Sequence, residues 1–360
     1  MPYQSIAILS SMRRVKLALI GCGGIAQLVH IPSIKRLDNV ELVAVCDIYE
    51  DVAREVAKKY GVDKWYTDYQ EMFEKENIDA IVNTTWHAAH AKVTIDSANA
   101  GKHVFVEKPM AITIEECKAM IEACRRNGVK LMIGFMKRFD PSLRWVKREI
   151  DRGSLGDIFL VNSWYYDTIV HGDYVKGFVS EFVRPKKPLP VSSYTPTGDE
   201  HLNVLLNHGI HHADLLRWIG GDIKAVSSRF KAYDDGSYAS TSIIEYESGA
   251  IGYFQLAGPV ADDWDEGLIV KGSKGSVRAY IRFPYFRWRS EVTVYFKDRG
   301  EYTSKLFPYR DMYLEELKHF VNCIISDEEP KPDGYDGLKA QELIYAIYRS
   351  AKEGSRVLLK

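Results

Sequence analysis

Cysteine is scarce in this chain, and long apolar runs are absent. The five cysteines among the 360 residues form no Cys-x-x-Cys pair, so the pattern indicates reduced thiols rather than a disulfide framework. No segment approaches the roughly 18 consecutive apolar residues that span a bilayer. The first 12 residues carry no basic segment before their short apolar stretch, which is unlike a secretory signal peptide. We therefore expect a cytoplasmic protein in which residues 1–12 form an N-terminal extension.

Neither sign of charge is in excess. The 48 Lys and Arg residues nearly balance the 49 Asp and Glu residues, which gives a formal net charge of −1. A clear positive excess is typical of proteins that bind nucleic acid or anionic membranes, so we expect neither of these partners. The hydrophobic fraction of 46% is ordinary for a globular protein and too high for a disordered one.

The length suggests two domains, and the pattern of the chain changes near residue 135. Before that point, segments of helical periodicity alternate with short apolar runs at 15–20, 42–46, 80–83, 103–106 and 130–135. Uninterrupted apolar runs suit parallel strands that are buried on both faces, and the helices between them supply the crossovers. Residues 13–135 are therefore predicted to form an α/β domain with a doubly wound parallel sheet.

Residues 136–360 follow another pattern. Alternating apolar and polar segments between Lys224 and Phe296 are joined by short Gly-containing connections, which predicts a large, mostly antiparallel sheet. Helical segments precede and follow these strands, so an α+β domain is predicted that binds substrate and forms subunit contacts. The stretch 167–200 is predicted to be a long loop, and its length indicates a lid or a subunit contact.

A glycine-rich turn follows the first predicted strand and opens a helix. Gly21 permits the tight turn, Gly23 lets the backbone approach a pyrophosphate, and the small Ala26 lets the helix pack closely. The second strand ends in Asp47, whose carboxylate can accept hydrogen bonds from the adenosine ribose and would repel a 2′-phosphate. The pattern predicts a dinucleotide site that prefers NAD to NADP. Its predicted cofactor-binding residues in the turn are Gly21, Gly23, Gly24, Ile25 and Ala26.

Two further sites carry side chains that suit chemistry at an oxygen atom. Lys108 follows the fifth strand, at the edge where parallel sheets bind ligands, and can direct a cation at a substrate oxygen. In the second half, Asn207, His211 and Asp214 share one face of a predicted helix. The three histidines between residues 208 and 212 lack a separated third ligand, so no metal site is predicted.

Taken together, these sites make the chain similar to the glucose–fructose oxidoreductase/inositol dehydrogenase (Gfo/Idh/MocA) family. The resemblance covers nearly everything from residue 13 to 360. Its matching pieces are GCGGIA at 21–26, Asp47, NTT at 83–85 with His90, EKP at 107–109, GFMKRF at 134–139, GSLG at 153–156 with Asp157, and G-x-H-x-x-D at 209–214. The combination at these separations is specific, whereas any one motif alone would not be.

The resemblance implies a Rossmann domain followed by a mostly antiparallel α/β domain whose open sheet face makes subunit contacts, and a cis peptide before Pro109. It implies an NAD-dependent enzyme that transfers hydride between nicotinamide and a secondary alcohol or ketone of a sugar or cyclitol. His211 would take the hydroxyl proton, Lys108 would hold the reacting oxygen, and Asn207 would assist them. Further cofactor contacts are expected from Thr84, His90, Glu107 and Lys108. Substrate contacts are expected from Lys108, Arg138, Trp164, Tyr165, Tyr166, Tyr194, Asn207 and His211.

One position departs from the family pattern. The family usually carries Asp four residues before the catalytic histidine, and this chain has Asn207. An amide can orient an imidazole but cannot stabilise imidazolium by charge. Three hypotheses remain: a dehydrogenase with altered proton handling, transient oxidation with tightly held NAD in epimerisation or glycoside cleavage, and a non-catalytic NAD- or sugar-binding regulator. The first is favoured, and retention of Lys108 and His211 argues against the third. A homodimer or homotetramer is expected.

Overall fold

The computed structural model describes residues 14–169, 181–189, 195–282 and 288–359. The predicted N-terminal extension, residues 1–12, lies outside these ranges, and so does Tyr194. Within them the chain forms one wholly parallel sheet and one mostly antiparallel sheet, which confirms the predicted α/β class. None of the helices in these ranges is long and apolar enough to cross a membrane.

The first sheet consists of six strands. They are β1 (Val15–Ile20), β2 (Val40–Cys46), β3 (Lys64–Tyr66), β4 (Ala80–Asn83), β5 (His103–Glu107) and β6 (Leu131–Gly134). They pair in the order β3-β2-β1-β4-β5-β6, and every pair is parallel. The direction of winding reverses between β1 and β4, which opens a crevice beyond the carboxyl ends of these two strands. The short edge strand β3 was not predicted, because it is largely exposed and lacks an apolar run.

Helices cover both faces of the first sheet. They are α1 (Ile31–Ile34, preceded by a π-helical stretch, Ala26–His30), α2 (Glu50–Tyr60), α3 (Tyr69–Lys75), α4 (His90–Asn99) and α5 (Ile114–Arg126). Neighbouring residues of β1 belong to different hydrophobic clusters, Leu17 to one and Ala18 to the other, as a strand buried on both faces requires. The N-terminus of α5 forms the capping box in which Thr113 and Glu116 satisfy each other's backbone N–H groups.

The second sheet consists of nine strands. They are β7 (Ile158–Thr168), β8 (Ile223–Ala232), β9 (Tyr238–Tyr246), β10 (Ile251–Val260), β11 (Asp265–Gly272), β12 (Gly275–Tyr280), β13 (Glu291–Phe296), β14 (Glu301–Lys305) and β15 (Val357–Leu358). Their order is β14-β13-β12-β11-β7-β10-β9-β8-β15. β7 and β10 pair in parallel, and the other neighbours pair antiparallel. The edge strands β14 and β15 lie beyond the predicted strand segments.

Only one face of the second sheet is covered by helices within the described residues. The helices of this half are α6 (Pro141–Asp151), α7 (Glu200–Val204), α8 (Ile210–Gly220), α9 (Met312–Ser326) and α10 (Gly334–Glu353). α8 packs against β7, and α10 packs against β8. Along β9, Ser242 and Ile244 are buried, whereas Ile243 between them is 55% exposed. Ile251 on β10 is 56% exposed, so the uncovered face carries apolar side chains.

The last two helices return to the first sheet. Leu317 and Phe320 of α9 belong to the same hydrophobic cluster as Leu17 and Leu19 of β1. α10 packs against α5 and β6 as well as against the second sheet. The two halves are therefore joined through apolar contacts that involve the end of the chain, and the division after residue 135 stays a prediction.

A buried ion pair joins the end of the first sheet to the helix that carries His211. Arg138 lies in the 3-10 turn after β6 and is 8% exposed. Its Nε donates to the two carboxylate oxygens of Asp214 at 3.0 and 2.9 Å, and its Nη2 donates to Oδ1 of Asp336 at 3.1 Å. Asp214 lies on α8 and is 1% exposed. Because a buried charge requires a partner, this contact holds α8 in place against the end of β6.

The substitution Asp214→Ala leaves the buried Arg138 guanidinium with a single carboxylate partner. We expect the free energy of unfolding to fall by about 3–5 kcal/mol, measured by urea denaturation followed by tryptophan fluorescence. The control is Glu122→Ala, which breaks an exposed contact with Arg125 and should leave the urea midpoint unchanged. Equal midpoints for the two variants would contradict the role assigned to the ion pair.

Candidate active site

A cleft of about 860 Å³ opens at the carboxyl ends of β1, β2, β4 and β5. Asn207 and His211, from the second half of the chain, line the same cleft. Parallel α/β sheets bind their ligands at this edge, and a cavity shared by two halves of a chain is a common location for an active site.

The glycine-rich turn leaves room for the phosphates of a dinucleotide. Gly21 has a φ of +94°, and a Cβ there would lie 2.6 Å from the carbonyl oxygen of Thr84. A Cβ at Gly23 would meet nothing within 4 Å, because the turn faces the open cleft. Gly24 and Ile25 line the cleft beside it. The turn therefore fits a pyrophosphate that approaches the backbone at the start of a helix.

Asp47 has a fixed orientation at the end of β2. Its Oδ2 accepts a hydrogen bond from the backbone N–H of Cys22 at 2.8 Å, and its Oδ1 accepts one from Tyr49 at 3.0 Å. Burial raises the pKa of Asp47, and the two backbone hydrogen bonds act in the opposite direction. The carboxylate lines the cleft, at the position where the predicted site holds the adenosine ribose.

The segment 181–189 lies against the same end of the cleft. The side chain of Gln27 accepts a hydrogen bond from the backbone N–H of Val183 and donates one to its carbonyl oxygen, each at 2.9 Å. The backbone N–H of Leu189 donates to the Tyr49 hydroxyl at 2.8 Å. The segment adds four cleft-lining residues: Val183, Pro185, Pro188 and Leu189. This part of the predicted long loop therefore forms a wall of the cofactor end.

Lys108 lies at the centre of the cleft. Its peptide bond to Pro109 is cis, as the resemblance implies, and its Nζ donates to the carbonyl oxygen of Asn207 at 3.2 Å. Oε2 of Glu107 accepts a hydrogen bond from the Lys108 backbone N–H at 3.0 Å, and Oε1 lies 2.6 Å from Nε2 of His30. Burial lowers the pKa of Lys108, and the neighbouring charge of Glu107 acts in the opposite direction.

His211 follows a change in helical winding. The helix passes from α7 through a π-helical stretch, Leu205–Gly209, into α8. Such π-helical turns are frequent at functional sites. The imidazole of His211 lines the cleft and has no hydrogen-bond partner among the described residues. Burial and the positive charges of Lys108 and Lys137 hold its pKa well below its usual value, so the ring is a neutral base at pH 7.

Asn207 is hydrogen-bonded to a residue other than His211. Its Oδ1 accepts a hydrogen bond from the Thr195 hydroxyl at 2.8 Å, and Nδ1 of His87 lies 2.6 Å from the same hydroxyl oxygen. Within the described chain no hydrogen bond joins the Asn207 and His211 side chains. The amide is therefore part of a chain of three side chains that ends at His87.

Trp164 and Tyr166, two of the aromatic residues expected to contact substrate, lie on the face of β7 that is turned away from the cleft. Nε1 of Trp164 donates to Oδ1 of Asp265 at 2.7 Å, and the Tyr166 hydroxyl donates to Oε1 of Gln255 at 2.8 Å. Because side chains alternate along a strand, Tyr165 between them faces the cleft instead. Trp164 and Tyr166 do not line the cleft, so the expectation that they contact substrate is corrected, whereas a substrate contact from Tyr165 stays a prediction.

The remaining predicted residues divide between the cleft and its supports. Arg138 does not line the cleft, because its guanidinium is fully engaged in the buried ion pair, so a substrate contact is not supported. Ala26 is fully buried and packs in the core beneath the turn rather than facing the cofactor. Thr84 and His90 line the cleft. The ring nitrogens of His90 lie 2.8 and 3.1 Å from the backbone carbonyl oxygens of Pro109 and Thr85. His90 therefore connects the loops that follow β4 and β5.

Several cleft residues were given no role from the sequence, although one of them, Lys137, lies within the GFMKRF motif at 134–139. Lys137 precedes Arg138 in the same turn, lines the cleft and forms a buried ion pair with Glu266. Glu266 also accepts a hydrogen bond from Nε2 of His212 at 2.8 Å. Other lining residues without a sequence-based role are Trp86, His87, Trp264 and Tyr313. Most of them lie on elements that are distant in sequence, so no spacing rule connects them.

The three histidines near His211 have different partners. Nδ1 of His208 lies 3.1 Å from the Tyr238 hydroxyl, whereas His212 contacts Ser163 and Glu266. In the part of the chain that the structure describes, the three residues that bring metal-ligand atoms together are His30, Glu107 and Glu316, and none of them is one of these histidines. The absence of a metal from the active site stays a prediction.

Fold and site together define an NAD-dependent oxidoreductase. Residues 15–135 match the model of an oxidoreductase family with an NAD-binding Rossmann fold, and residues 147–359 match that family's C-terminal alpha/beta domain. The chain belongs to this family, the Gfo/Idh/MocA oxidoreductases. The sequence-based identification is thereby confirmed.

The chain is similar over almost its whole length to curated and solved relatives. It is 29% identical to the myo-inositol 2-dehydrogenase of Thermotoga maritima, over 96% of this chain and 99% of that protein. It is 28% identical to the NAD(+)-dependent scyllo-inositol 2-dehydrogenase of Bacillus subtilis, over 96% of each chain. The structure of the WlbA dehydrogenase of Bordetella pertussis, solved with NADH and UDP-GlcNAcA, superposes with a TM-score of 0.77 at 25% identity, over 97% of this chain and 98% of that one.

Asp47 is expected to set the preference for NAD. NAD should bind at least several-fold more tightly than NADP, because the carboxylate would repel the 2′-phosphate, and Asp47→Ser should narrow this gap. Isothermal titration calorimetry with each cofactor measures the ratio of the two dissociation constants. The control is Glu55→Ser, an exposed position on α2 beside Arg54, which should leave the ratio unchanged. Equal affinities in the unmutated protein would remove this role from Asp47.

Proposed function

We propose that this enzyme oxidises a secondary hydroxyl group of a sugar or cyclitol, or reduces the corresponding ketone, with NAD as the hydride carrier. The main support is that Lys108 and His211, from opposite halves of the chain, line the same cleft as the glycine-rich turn. An ammonium group and a neutral imidazole suit this reaction, because one can bind the oxygen and the other can take its proton.

The proposed reaction divides the work between these two side chains. NAD, when bound, supplies a hydride acceptor. The Lys108 ammonium holds the hydroxyl oxygen and stabilises the negative charge that it gains as the C–H bond breaks. His211 takes the hydroxyl proton, which its lowered pKa allows at neutral pH, and returns it when the ketone is reduced. The partly buried cleft strengthens both interactions, since charges are screened less there than in water.

A cyclic polyol fits the rest of the cleft. Three of the aromatic residues that line it are Trp86, Tyr165 and Trp264. The C–H faces of sugar and inositol rings pack on aromatic side chains, while their hydroxyl groups remain available for hydrogen bonds. Two similar curated proteins are inositol dehydrogenases by name, which supports the same substrate class here.

A second function is favoured by one observation. The segment 181–189 is hydrogen-bonded to Gln27 and Tyr49 across the cofactor end of the cleft, which would slow the release of a dinucleotide. An enzyme that retains NAD can oxidise its substrate transiently and reduce it again, with epimerisation or glycoside cleavage as the net reaction. Product formation without net NADH would identify this alternative.

The experiment that tests the proposal is a panel of inositols, aldoses and 3-keto sugars, assayed with NAD and with NADP by absorbance at the NADH band. We expect steady NADH formation with at least one cyclic polyol and NAD. A panel without NADH formation and without any altered sugar, for protein that binds NAD, would leave the non-catalytic hypothesis.

We also propose a cytoplasmic location and no nucleic-acid partner. All five cysteines are free and buried, which suits a reducing compartment. The near-zero net charge offers no electrostatic attraction to nucleic acid.

If His211 is the base, His211→Ala should lower the turnover number by about 100-fold or more. NADH binding should remain nearly intact, because the glycine-rich turn and Asp47 are untouched. Steady-state rates and fluorescence titration with NADH measure the two quantities on the same preparation. A His211→Ala enzyme that keeps most of its activity would transfer the role of base to Lys108 or His208.

Asn207→Asp should move the pH dependence of oxidation. Oxidation needs unprotonated His211, so the rate rises with pH through the pKa of this imidazole, which lies below its usual value. A carboxylate at position 207 favours imidazolium and raises that pKa, so the ascending limb should move to higher pH. The control is Asn203→Asp, one turn earlier on the helix. The ascending limb of this variant's pH–rate profile should stay in place. If the ascending limb does not move in Asn207→Asp, the residue at position 207 has no influence on the pKa of His211.

The uncovered face of the second sheet supports a homodimer or homotetramer. Ile243 and Ile251 are more than half exposed in the single chain, and a second copy would cover them. Light scattering at micromolar concentration should give a mass of at least two chains, and Ile243→Lys should lower it. The control is Ile325→Lys, an exposed substitution on α9 that should leave the mass unchanged. A monomeric wild-type protein would contradict this proposal.

A further inference from the structure

His87 occupies the active-site cleft without a role in the proposed reaction. It begins a 3-10 turn, His87–Ala89, that follows β4, and it lines the cleft. Its Nδ1 lies 2.6 Å from the Thr195 hydroxyl oxygen, and this hydroxyl donates to Oδ1 of Asn207 at 2.8 Å. The backbone carbonyl of Asn207 accepts a hydrogen bond from Lys108 at 3.2 Å. His87 and the catalytic lysine are therefore both tied to Asn207.

The positions of the protons in this chain follow from the chemistry of its members. A hydroxyl group has one hydrogen, and Thr195 gives it to Oδ1 of Asn207, which can only accept. The contact between Thr195 and His87 therefore requires that Nδ1 of His87 carries a hydrogen and donates it. A neutral imidazole with hydrogen on Nδ1 has a bare lone pair on Nε2.

Nε2 of His87 faces accessible space. None of the described residues forms a hydrogen bond with this nitrogen. It is also not one of the described side-chain atoms that are buried without a hydrogen-bond partner, so it is accessible and opens into the cleft that His87 lines. Burial, with the nearby His90 and Lys108, lowers the pKa of His87 to about 2. The ring therefore stays neutral at working pH and presents an acceptor.

The geometry points to His87 as a substrate-binding residue: we propose that its Nε2 accepts a hydrogen bond from a second hydroxyl group of the substrate, with Thr195 and Asn207 fixing the tautomer. This rests on the proposed function and narrows its substrate to polyols that carry a free hydroxyl besides the one oxidised. A hydroxyl of the cofactor's ribose has the same chemistry, and the experiment below separates the two sources.

The proposal also accounts for the amide at position 207. Relatives usually carry Asp there, beside the catalytic histidine, whereas this amide oxygen is engaged with Thr195 instead of His211. A carboxylate at this position would add a negative charge to the chain and favour protonated His87. The Asn207 amide accepts the hydrogen bond from Thr195 without adding a charge. His87, at the other end of this chain of side chains, therefore remains a neutral hydrogen-bond acceptor.

The experiment uses the polyol found active in the panel and its monodeoxy analogues. His87→Phe keeps a ring but removes the acceptor, and KM for the polyol should rise about 10-fold, with a smaller change in kcat. At least one deoxy analogue should have the same KM in the wild type and in His87→Phe, because it lacks the donor. Since His87 is neutral at working pH, the rise in KM should be constant from pH 6 to 9.

Thr195 is tested as the positioning residue with a matched pair of variants. Thr195→Val removes the hydroxyl at nearly the same volume and should raise KM for the polyol but not for that deoxy analogue. Thr195→Ser keeps the hydroxyl and should restore the wild-type KM. A variant that merely disturbed the fold would change KM for both substrates, and thermal unfolding of each variant reports such a disturbance directly.

Two outcomes would overturn the proposal. If His87→Phe weakens NADH binding in titration and leaves the polyol-to-deoxy ratio of KM unchanged, the acceptor serves the cofactor's ribose. If neither NADH affinity nor that ratio changes, His87 binds no hydroxyl group. Either result can be obtained only with an enzyme that oxidises a polyol, so it is distinct from failure of the proposed function, in which the wild type oxidises none.

Discussion

The buried ion pair of Arg138 with Asp214 fixes the geometry on which the active site depends. A guanidinium removed from water costs several kcal/mol unless carboxylates neutralise it, so this contact tolerates little displacement. Asp214 lies three residues after His211 on α8, and Arg138 follows Lys137 in the turn after β6. A slip of α8 by one helical turn would carry His211 about 5 Å along the helix axis. The ion pair therefore sets the position of His211 relative to the rest of the cleft.

In the cleft, carboxylates lie beside two buried lysines, and burial lowers the pKa of the neighbouring imidazoles. Lys108 and Lys137 each have a buried carboxylate beside them, Glu107 and Glu266, whose negative charge opposes the fall in lysine pKa that burial causes. The two ammonium charges, together with burial, disfavour protonation of His211. In the proposed reaction, the oxygen that gains negative charge would lie beside the lysines, and its proton would pass to an uncharged imidazole. Positive charge near the oxygen and an uncharged nitrogen near its proton can be combined at one site because the lysines and His211 line the same cavity.

Much of the fold was predictable, because burial on both faces leaves apolar runs and crossover helices in the sequence. The glycine-rich turn, Asp47, Lys108 and His211 were found because each is tied to a local element. Prediction failed where tertiary structure decides. The run Trp164 to Tyr166 is equally aromatic at each position, and only the strand's orientation selects the middle ring for the cleft. His87 and the segment 181–189 reach the cleft from elements far apart in sequence, so no periodicity indicates them.

Two buried glutamates, Glu107 and Glu316, have pKa values that are shifted in opposite directions. One ring nitrogen of His30 and one oxygen each of Glu107 and Glu316 lie within 4.8 Å of one another in a buried cluster. Burial raises the pKa of any carboxyl group, but hydrogen bonds from His30 and from the Lys108 backbone bring that of Glu107 below its usual value. Glu316 has no such donors among the described residues, and burial with the charge of Glu107 raises its pKa well above normal. The proton therefore resides on Glu316, and Glu107 keeps the negative charge. Hydrogen bonds from His30 and from the Lys108 backbone thus keep a negative charge beside Lys108.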